Sequence, residues 1–428
     1  MRFSKTFYVL RGFCGLAILA SGLFWLPLPC ARGDANPDEA YRAILLLTRS
    51  IERIRRHYVD ADKVSYRQLI ESALRGMLNA LDEHSQFLDQ NEASEAQDDA
   101  MGRFGGVGIV IGVRDGALTV IAPIEDSPAF HAGIQPGDRI VEIAGEGTEG
   151  LGIEPAVRRL RGEPGTKVKI KVLRPRTREV REIELVRAVI DIETVRDARL
   201  LEDGIAYVRL TQFTERTGTE LADQLARWAS LPNPPRALIL DLRNNPGGLL
   251  RSAVEVAQQF LARGQPIVHV RGREPGDRQT FAAQPSRPPI PWPLAVLVNA
   301  GSASASEIVA GALQDHRRAI LIGEKTFGKA SVQTLIPLEE GMALRLTTAR
   351  YQTPSHREIH GYGIEPDIVV PLSVEAWQTV LRNRLEAESD PSSSPQAETV
   401  RDLQLERAVD VLKGVLMFQA RWRRPVSP

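Results

Sequence analysis

Ser302, Ser304 and Ser306 alternate with alanine in the stretch 299–307, Asn-Ala-Gly-Ser-Ala-Ser-Ala-Ser-Glu. A serine becomes a nucleophile only when the chain lifts it clear of its neighbours, and a strand, a tight turn and a helix in succession do this. Residues 294–298 form an apolar run that suits a buried strand, and 308–315 read as a helix. The first N–H groups of such a helix lack intrahelical partners, so they can face a developing negative charge. Ser304 is therefore read as the nucleophile. Ser302 and Ser306 read as tight packing and helix capping.

The base is sought among seven histidines and the lysines. His316 lies 12 residues beyond Ser304, roughly 18 Å away along one helix, so it is no direct partner. His356 and His360 fall in a loop-like segment and stay open by spacing. Lys329 follows Thr326-Phe327-Gly328 among apolar and small residues. A lysine works as a base near neutral pH once burial lowers its pKa, and a serine–lysine pair is a known variant of the serine–histidine arrangement. Lys325, beside Glu324, reads as a surface charge. His84, adjacent to Ser85, reads as a loop or capping residue, since neighbouring side chains point apart.

These residues need scaffolds. The 428-residue chain is long enough for two or more cores, with 43% apolar and 25% charged residues. Lys plus Arg equals Asp plus Glu, 54 each, so no field of one sign recommends nucleic acid. The two cysteines, Cys14 and Cys30, sit in the N-terminal stretch, which leaves no disulfide framework or cysteine-based metal site in the body. There Arg2, Lys5 and Arg11 precede an apolar run at 13–28, with Gly33-Asp34-Ala35 or Ala31-Arg32-Gly33 as an exit. This is an export-signal pattern, with an uncleaved membrane anchor as the alternative. Either places the mature body outside the cytoplasm, in the periplasm or cell envelope.

Helical periods occupy 38–58 and about 66–81. From 104 to about 186 short β-like runs are punctuated by glycine, with 167–173 as the final strand. From 205 the texture is α/β: strand 205–210, helix 215–230, strand 237–242, a tight loop at 243–248 and an amphipathic run at 249–263. The loop-rich 265–293 holds one strand, and 320–323 another. Residues 331–351 make a hairpin, 386–398 a Ser/Pro linker, and the last helix carries Leu405, Ala408, Leu412, Val415 and Leu416. That stripe suits docking on its own domain or pairing with a second subunit equally.

The stretch 132–144 carries Ala-Gly-Ile-x-Pro-Gly-Asp-x-Ile and resembles a PDZ domain. The resemblance implies that the glycine-rich loop Gly105, Gly106, Val107 and Gly108 offers N–H groups to a peptide's terminal carboxylate. The strand edge from Ile109 to Ile111 would then pair with the peptide. Over the mature chain, the sequence resembles the carboxyl-terminal processing proteases, also called tail-specific proteases, of the Ser-Lys class (peptidase family S41). The matching motifs are residues 241–248, 301–307, 326–333 and 361–367. The resemblance implies an α/β core like that of Clp protease and crotonase, with an inserted mainly-β PDZ domain and an N-terminal helical segment. It implies Ser304 as nucleophile, Lys329 as general base and Gln333 as the residue orienting Lys329. Positions 329 and 333 of a strand would share a face. It further implies an oxyanion hole from the N–H groups of Gly248 and Ala305, and no metal or cofactor. Ala330, where glycine is usual, and the glycine missing before Arg357 depart from the pattern without removing a catalytic side chain.

The expected segments are an export signal or anchor at 1–35, the helical segment at 36–100, the PDZ domain at 101–188, the protease core at 189–376, and a linker and helix at 377–428. The implied partners are protein substrates with apolar C-termini. Some members use a lipoprotein or tetratricopeptide-repeat adaptor, and both terminal helices look available for a homo-oligomer. Two other classes compete: a catalytically silent PDZ scaffold of the envelope, and a crotonase-type acyl-CoA enzyme. The intact Ser304, Lys329 and Gln333 weigh against the scaffold, and the export signal weighs against the acyl-CoA enzyme.

Overall fold

The computed structural model describes residues 37–373, 376, 377, 379, 380 and 401–422, apart from 83, 115, 125, 126, 136, 176 and 192. The export-signal stretch, both cysteines and the 386–398 linker lie outside the described residues. Among those described, no helix is long and apolar enough to cross a membrane.

The chain divides into two compact units, one ending at Ile70 and the other starting at Glu71. In the first, α1 (Pro37–His57) has Asp38 and Glu39 in its first turn and Arg55, Arg56 and His57 in its last. Each sign sits where the helix dipole favours it. Arg55 donates from Nε to the Val64 carbonyl at 3.2 Å and lies over the Tyr66 ring, which fixes the turn before α2 (Tyr66–Asn79). The division falls within α2.

The second unit opens with β1 (Gln86–Leu88) and α3 (Gln90–Met101). The helical reading of the sequence does not foresee α3. Its signal is a capping box: the Asp89 carboxylate accepts from the N–H groups of Asn91 and Glu92, and Glu92 Oε2 accepts from the Asp89 N–H. Before β1, Asp82 caps the loop by accepting from the His84 and Ser85 N–H groups and from Ser85 Oγ.

The chain then enters a β-rich body on β2 (Arg103–Gly106) and leaves it on β9 (Ala188–Asp191), which pair antiparallel. Between them, β3 (Ile109–Arg114), β4 (Ala117–Pro123), β5 (Arg139–Ile143), β6 (Glu146–Gly147), β7 (Lys167–Arg174) and β8 (Glu179–Val186) build an antiparallel sheet of order β3-β4-β5-β7-β8, with β6 on β5. Short helices α4 (Pro128–His131) and α5 (Ile153–Leu160) close the core around Val120, Ile140, Ile143, Ile170 and Val172. The strand at 167–173 is not the last: β8 follows and pairs with β7 over its whole length. Its charged alternation suits an edge that buries chiefly Leu185 while Glu184 meets Lys167.

The α/β core comprises β10 (Val195–Leu200), β11 (Ile205–Leu210), α6 (Thr217–Ala229), β12 (Ala237–Asp241), α7 (Leu250–Ala257), the hairpin β13 (Pro266–Gly272) and β14 (Arg278–Ala282), then β15 (Leu294–Val298), α8 (Ala305–Asp315), β16 (Ala319–Gly323), β17 (Ser331–Pro337), β18 (Ala343–Gln352), β19 (Ile368–Val369) and α9 (Leu403–Trp422). The central sheet runs β10-β11-β12-β15-β16-β19, parallel from β11 onward. A second, antiparallel sheet joins β1, β18, β13 and β14, with β17 on β18. The stretch 265–293 thus holds two strands rather than one.

The central strands β11, β12 and β15 are apolar but for Arg209 and Asp241, because both faces are covered. Val208, Leu238, Leu240 and Val296 face the side of α7 and α8. Tyr207, Ile239, Ala295 and Leu297 face α9 through Ala408, Leu412 and Leu416. The last helix therefore packs on its own domain.

A buried charge network fastens it there. Arg243, 2% exposed just after β12, donates to both carboxylate oxygens of Asp241 and of Asp402, and to Gln404 Oε1 at 3.0 Å. Burial would raise the Asp402 carboxyl, but hydrogen bonds and charge from Arg243 hold it below its ordinary range. A depressed carboxylate stabilises the fold above its unfolded pKa and loses that contribution as pH falls through its folded value. Asp402→Asn should therefore cost about 3 kcal/mol at neutral pH and show a shallower loss of stability on acidification. Urea unfolding at neutral and acid pH measures both.

Candidate active site

Two strand–turn–helix junctions meet at the carboxyl ends of β12 and β15. Asn244 N–H donates to Asn299 Oδ1, and Asn299 Nδ2 donates back to Asn244 Oδ1, each at 2.9 Å. Ser302 Oγ donates to the Leu242 carbonyl at 2.8 Å, while the Ala303 N–H and Ser306 Oγ both donate to the Asn245 carbonyl. Ser302 and Ser306 are fully buried, so they stitch the two turns together. Gly247 is required by proximity: a Cβ there would lie 2.6 Å from Ser304 Cβ. At Gly248 a Cβ would meet the Phe213 carbonyl at 2.0 Å, in a backbone with φ 141°.

Ser304 stands at the head of α8 with φ 56° and ψ −115°. Its ψ lies far from the left-handed helical basin, in a region non-glycine residues rarely adopt, and such strain costs about 1–3 kcal/mol. It lines an open cleft of about 320 Å³ together with Gly248, Ala305, Gln333 and Tyr351. Among the described residues, the N–H groups of Gly248 and Ala305 donate to no protein acceptor. Phe213, Leu249, Leu250, Ile308 and Val332 give the cleft apolar walls, and Asp99 and Arg345 add charge.

Glu307 is the residue that sequence reading missed. Its carboxylate is fully buried and accepts from the Ser304 N–H at 2.9 Å, Thr326 Oγ1 at 2.6 Å, the Gly328 N–H at 2.8 Å and the Lys329 N–H at 2.9 Å. Burial pushes this carboxyl above its usual range, against the pull of those four donors. One oxygen, Oε2, receives both the Ser304 and the Lys329 N–H, so the two backbone nitrogens lie within twice that bond length. The signal was in the sequence as Ser304-x-x-Glu307, the spacing of a capping box.

Lys329 is half-buried and joins the site through its backbone; it is not among the residues lining the cleft. It precedes β17, which starts at Ser331, so strand alternation does not set its direction relative to Gln333. The strand argument for a shared face therefore does not reach Lys329. Gln333 lies in the cleft wall and donates from Nε2 to Ser331 Oγ at 2.8 Å. Behind Lys329, the Gly361 N–H donates to the Gly328 carbonyl, and the Ile364 N–H to Thr326 Oγ1; the 361–367 motif thus braces the lysine loop. None of the histidines, all of them described, lines the cleft. His316 is held by the Pro266 carbonyl, and His356 stacks on His269 with ring centroids 4.2 Å apart.

In the PDZ body, β3 pairs only with β4, so Ile109 and Ile111 lie on an edge whose other side is open among the described strands. The loop before it is shorter than expected. Gly105 and Gly106 belong to β2 and pair with Val189 and Ala188, leaving Val107 and Gly108 as the turn. A Cβ on Gly105 would meet the Gly162 carbonyl at 2.4 Å, so close backbone approach is what demands glycine there. At the end of α5, Arg161 pairs with Asp99 of α3, which also lines the cleft.

A strained serine at a helix head, two cleft-lining residues whose N–H groups have no protein acceptor among the described residues, and an attached PDZ body define a serine peptidase of the α/β type. The peptidase family S41 model matches residues 204–370, and a PDZ domain model matches 119–174. The chain is 40% identical over 402 residues to a carboxy-terminal-processing protease of Bartonella bacilliformis, spanning 90% of this chain and 92% of the relative. It is 33% identical to carboxy-terminal processing protease CtpB of Bacillus subtilis, spanning 79% and 70%. A structure solved for an S41 protease candidate of Bacteroides fragilis shares the fold, with TM-score 0.51, 16% identity, and 85% of this chain and 97% of that one covered. The chain belongs to peptidase family S41 and, within it, to the carboxy-terminal processing proteases.

Glu307→Gln replaces a carboxylate oxygen with an N–H₂ group facing N–H donors. It should lower stability by about 2–3 kcal/mol, the range for a hydrogen-bonded buried charge, and reduce peptide cleavage further than the stability loss explains. Thermal melting beside kcat at a temperature where the variant is folded checks this.

Proposed function

We propose that this serine peptidase is exported, captures the apolar C-terminus of a protein substrate in its PDZ domain and cleaves a nearby peptide bond at Ser304. The observation that carries this reading is the Ser304 backbone, held in a strained turn beside the Gly248 and Ala305 N–H groups, which have no protein acceptor among the described residues. Strain at such a position persists where the surroundings over-determine it, and it clusters at active sites.

The steps follow from the residues. Lys329, unprotonated, takes the hydroxyl proton of Ser304 as Oγ attacks the scissile carbonyl carbon. The carbonyl oxygen gains the negative charge, and the Gly248 and Ala305 N–H groups stabilise it. Lys329 then gives the proton to the leaving amine, the C–N bond breaks and an acyl-enzyme remains. Water attacks the ester with Lys329 again accepting a proton, which returns to Ser304 Oγ as the acid departs. Gln333 is assigned to orient Lys329. No step calls for a metal or cofactor.

The open β3 edge supports substrate capture by strand addition, with Val107 and Gly108 beside the terminal carboxylate. The apolar cleft walls suit uncharged side chains next to the cut bond. Export to the periplasm or envelope rests on the N-terminal charge and apolar pattern. A requirement for an adaptor, membrane tethering and assembly of copies belong to the same reading.

Ser304→Ala and Lys329→Ala in the mature protein should each lower cleavage of an unfolded casein by about 10⁴-fold while melting near the wild-type temperature. Full activity in either would sink the dyad. Removing residues 104–186 should change the rate on substrates with apolar tails, and an unchanged rate would remove the assigned role of the PDZ domain.

A further inference from the structure

Tyr351 is a second residue that the sequence reading passed over. It lies on β18, 3% exposed, and its ring packs in the core with Ala330. Its N–H donates to the Ala330 carbonyl at 3.0 Å, and its hydroxyl donates to the Lys329 carbonyl. Tyr351 and Ser304 line the same cleft.

A phenol has one proton. It is given to the Lys329 carbonyl, so the oxygen can only accept from any other donor in the cleft. The peptide groups of Lys329 are thereby held from two sides: the Glu307 carboxylate takes its N–H, and Tyr351 holds its carbonyl. The Glu307 clamp also holds the Ser304 N–H, and Tyr351 shares the cleft with Ser304.

We infer that Tyr351 is a positioning residue for peptide cleavage: its hydroxyl pins the Lys329 backbone beside the cleft it shares with Ser304, fixing the geometry from which the serine proton passes to Lys329. The inference rests on the Ser304–Lys329 reading of the site. Tyr351 neither gains nor loses a proton in the cycle. Burial first, and then the nearby Glu307 charge, push its phenol well above the ordinary value, so it stays a donor across the working range. Glu307 on α8 is the charged group facing it, and Asp99 and Arg345 line the same cleft.

Tyr351→Phe keeps the ring and its packing and removes only the hydroxyl. In the mature enzyme, kcat on a peptide substrate should fall by about 10- to 100-fold, the size expected from a small misplacement of reacting groups. KM should stay close to wild type, and the ascending limb of the pH–kcat profile, set by the base, should shift. Labelling of Ser304 by a fluorophosphonate should slow in parallel, and this second readout remains usable at low temperature if the variant melts early. Wild-type kcat, profile and labelling rate in Tyr351→Phe, beside inactive Ser304→Ala, would overturn the role of Tyr351 alone. A kcat loss that simply follows the melting temperature, with the pH profile unmoved, would also overturn it. Activity retained in Ser304→Ala or Lys329→Ala would overturn the dyad and this role with it.

Discussion

The Glu307 carboxylate is the constraint on which the site depends. A fully buried carboxylate is costly unless donors satisfy it, and here four do. They come from two places in the chain, the turn at Ser304 and the loop at 326–329. Neither segment is regular structure, so neither would keep its shape through a helix or sheet ladder. One anion gathers both. The strain at Ser304 and the placement of the Lys329 backbone are consequences of the same set of hydrogen bonds.

Around that anion the fold supplies rigidity in layers. The parallel strands β12 and β15 end side by side, so the turns after them are neighbours by topology. Side chains of Asn244, Asn299, Ser302 and Ser306 then bond one turn to the other. Further down, Arg243 ties the end of β12 to α9 through Asp402 and Gln404. The C-terminal helix is thus connected by charge, as well as by apolar contact, to the strand that delivers Gly248. The PDZ body enters and leaves through the β2–β9 ribbon, and its Arg161 reaches α3 at the rim of the cleft.

Much of the architecture was legible because its local signals were strong. The runs at 205–210, 237–242 and 294–298 are apolar but for Arg209 and Asp241, and only strands covered on both faces need that. The stripe of Ala408, Leu412 and Leu416 announced a helix with one face to bury. Elements marked by weaker signals escaped: α3 is polar and announced only by Asp89 and Glu92, while β8 and β14 are charged edge strands with little apolar periodicity. Gly105 and Gly106 misled for a different reason, since glycine answers equally to a turn and to a close backbone crossing.

The sequence by itself determined which side chains could do chemistry: a serine between alanines before a helix, a lysine among small residues and a glycine closing a loop after a strand. Residue type and local spacing carry that information. Only the tertiary structure decided how these groups are held, because the holding bonds join residues far apart in the chain. Glu307 reads locally as a cap and Tyr351 as a core aromatic, until folding brings the loop at 326–329 against both. The same limit applied to Lys329 and Gln333, whose relation depends on where β17 begins. Ser304 was visible as a candidate; its φ of 56° and ψ of −115° came only with the tertiary structure, where Glu307 holds its N–H and Gly247 packs close against it.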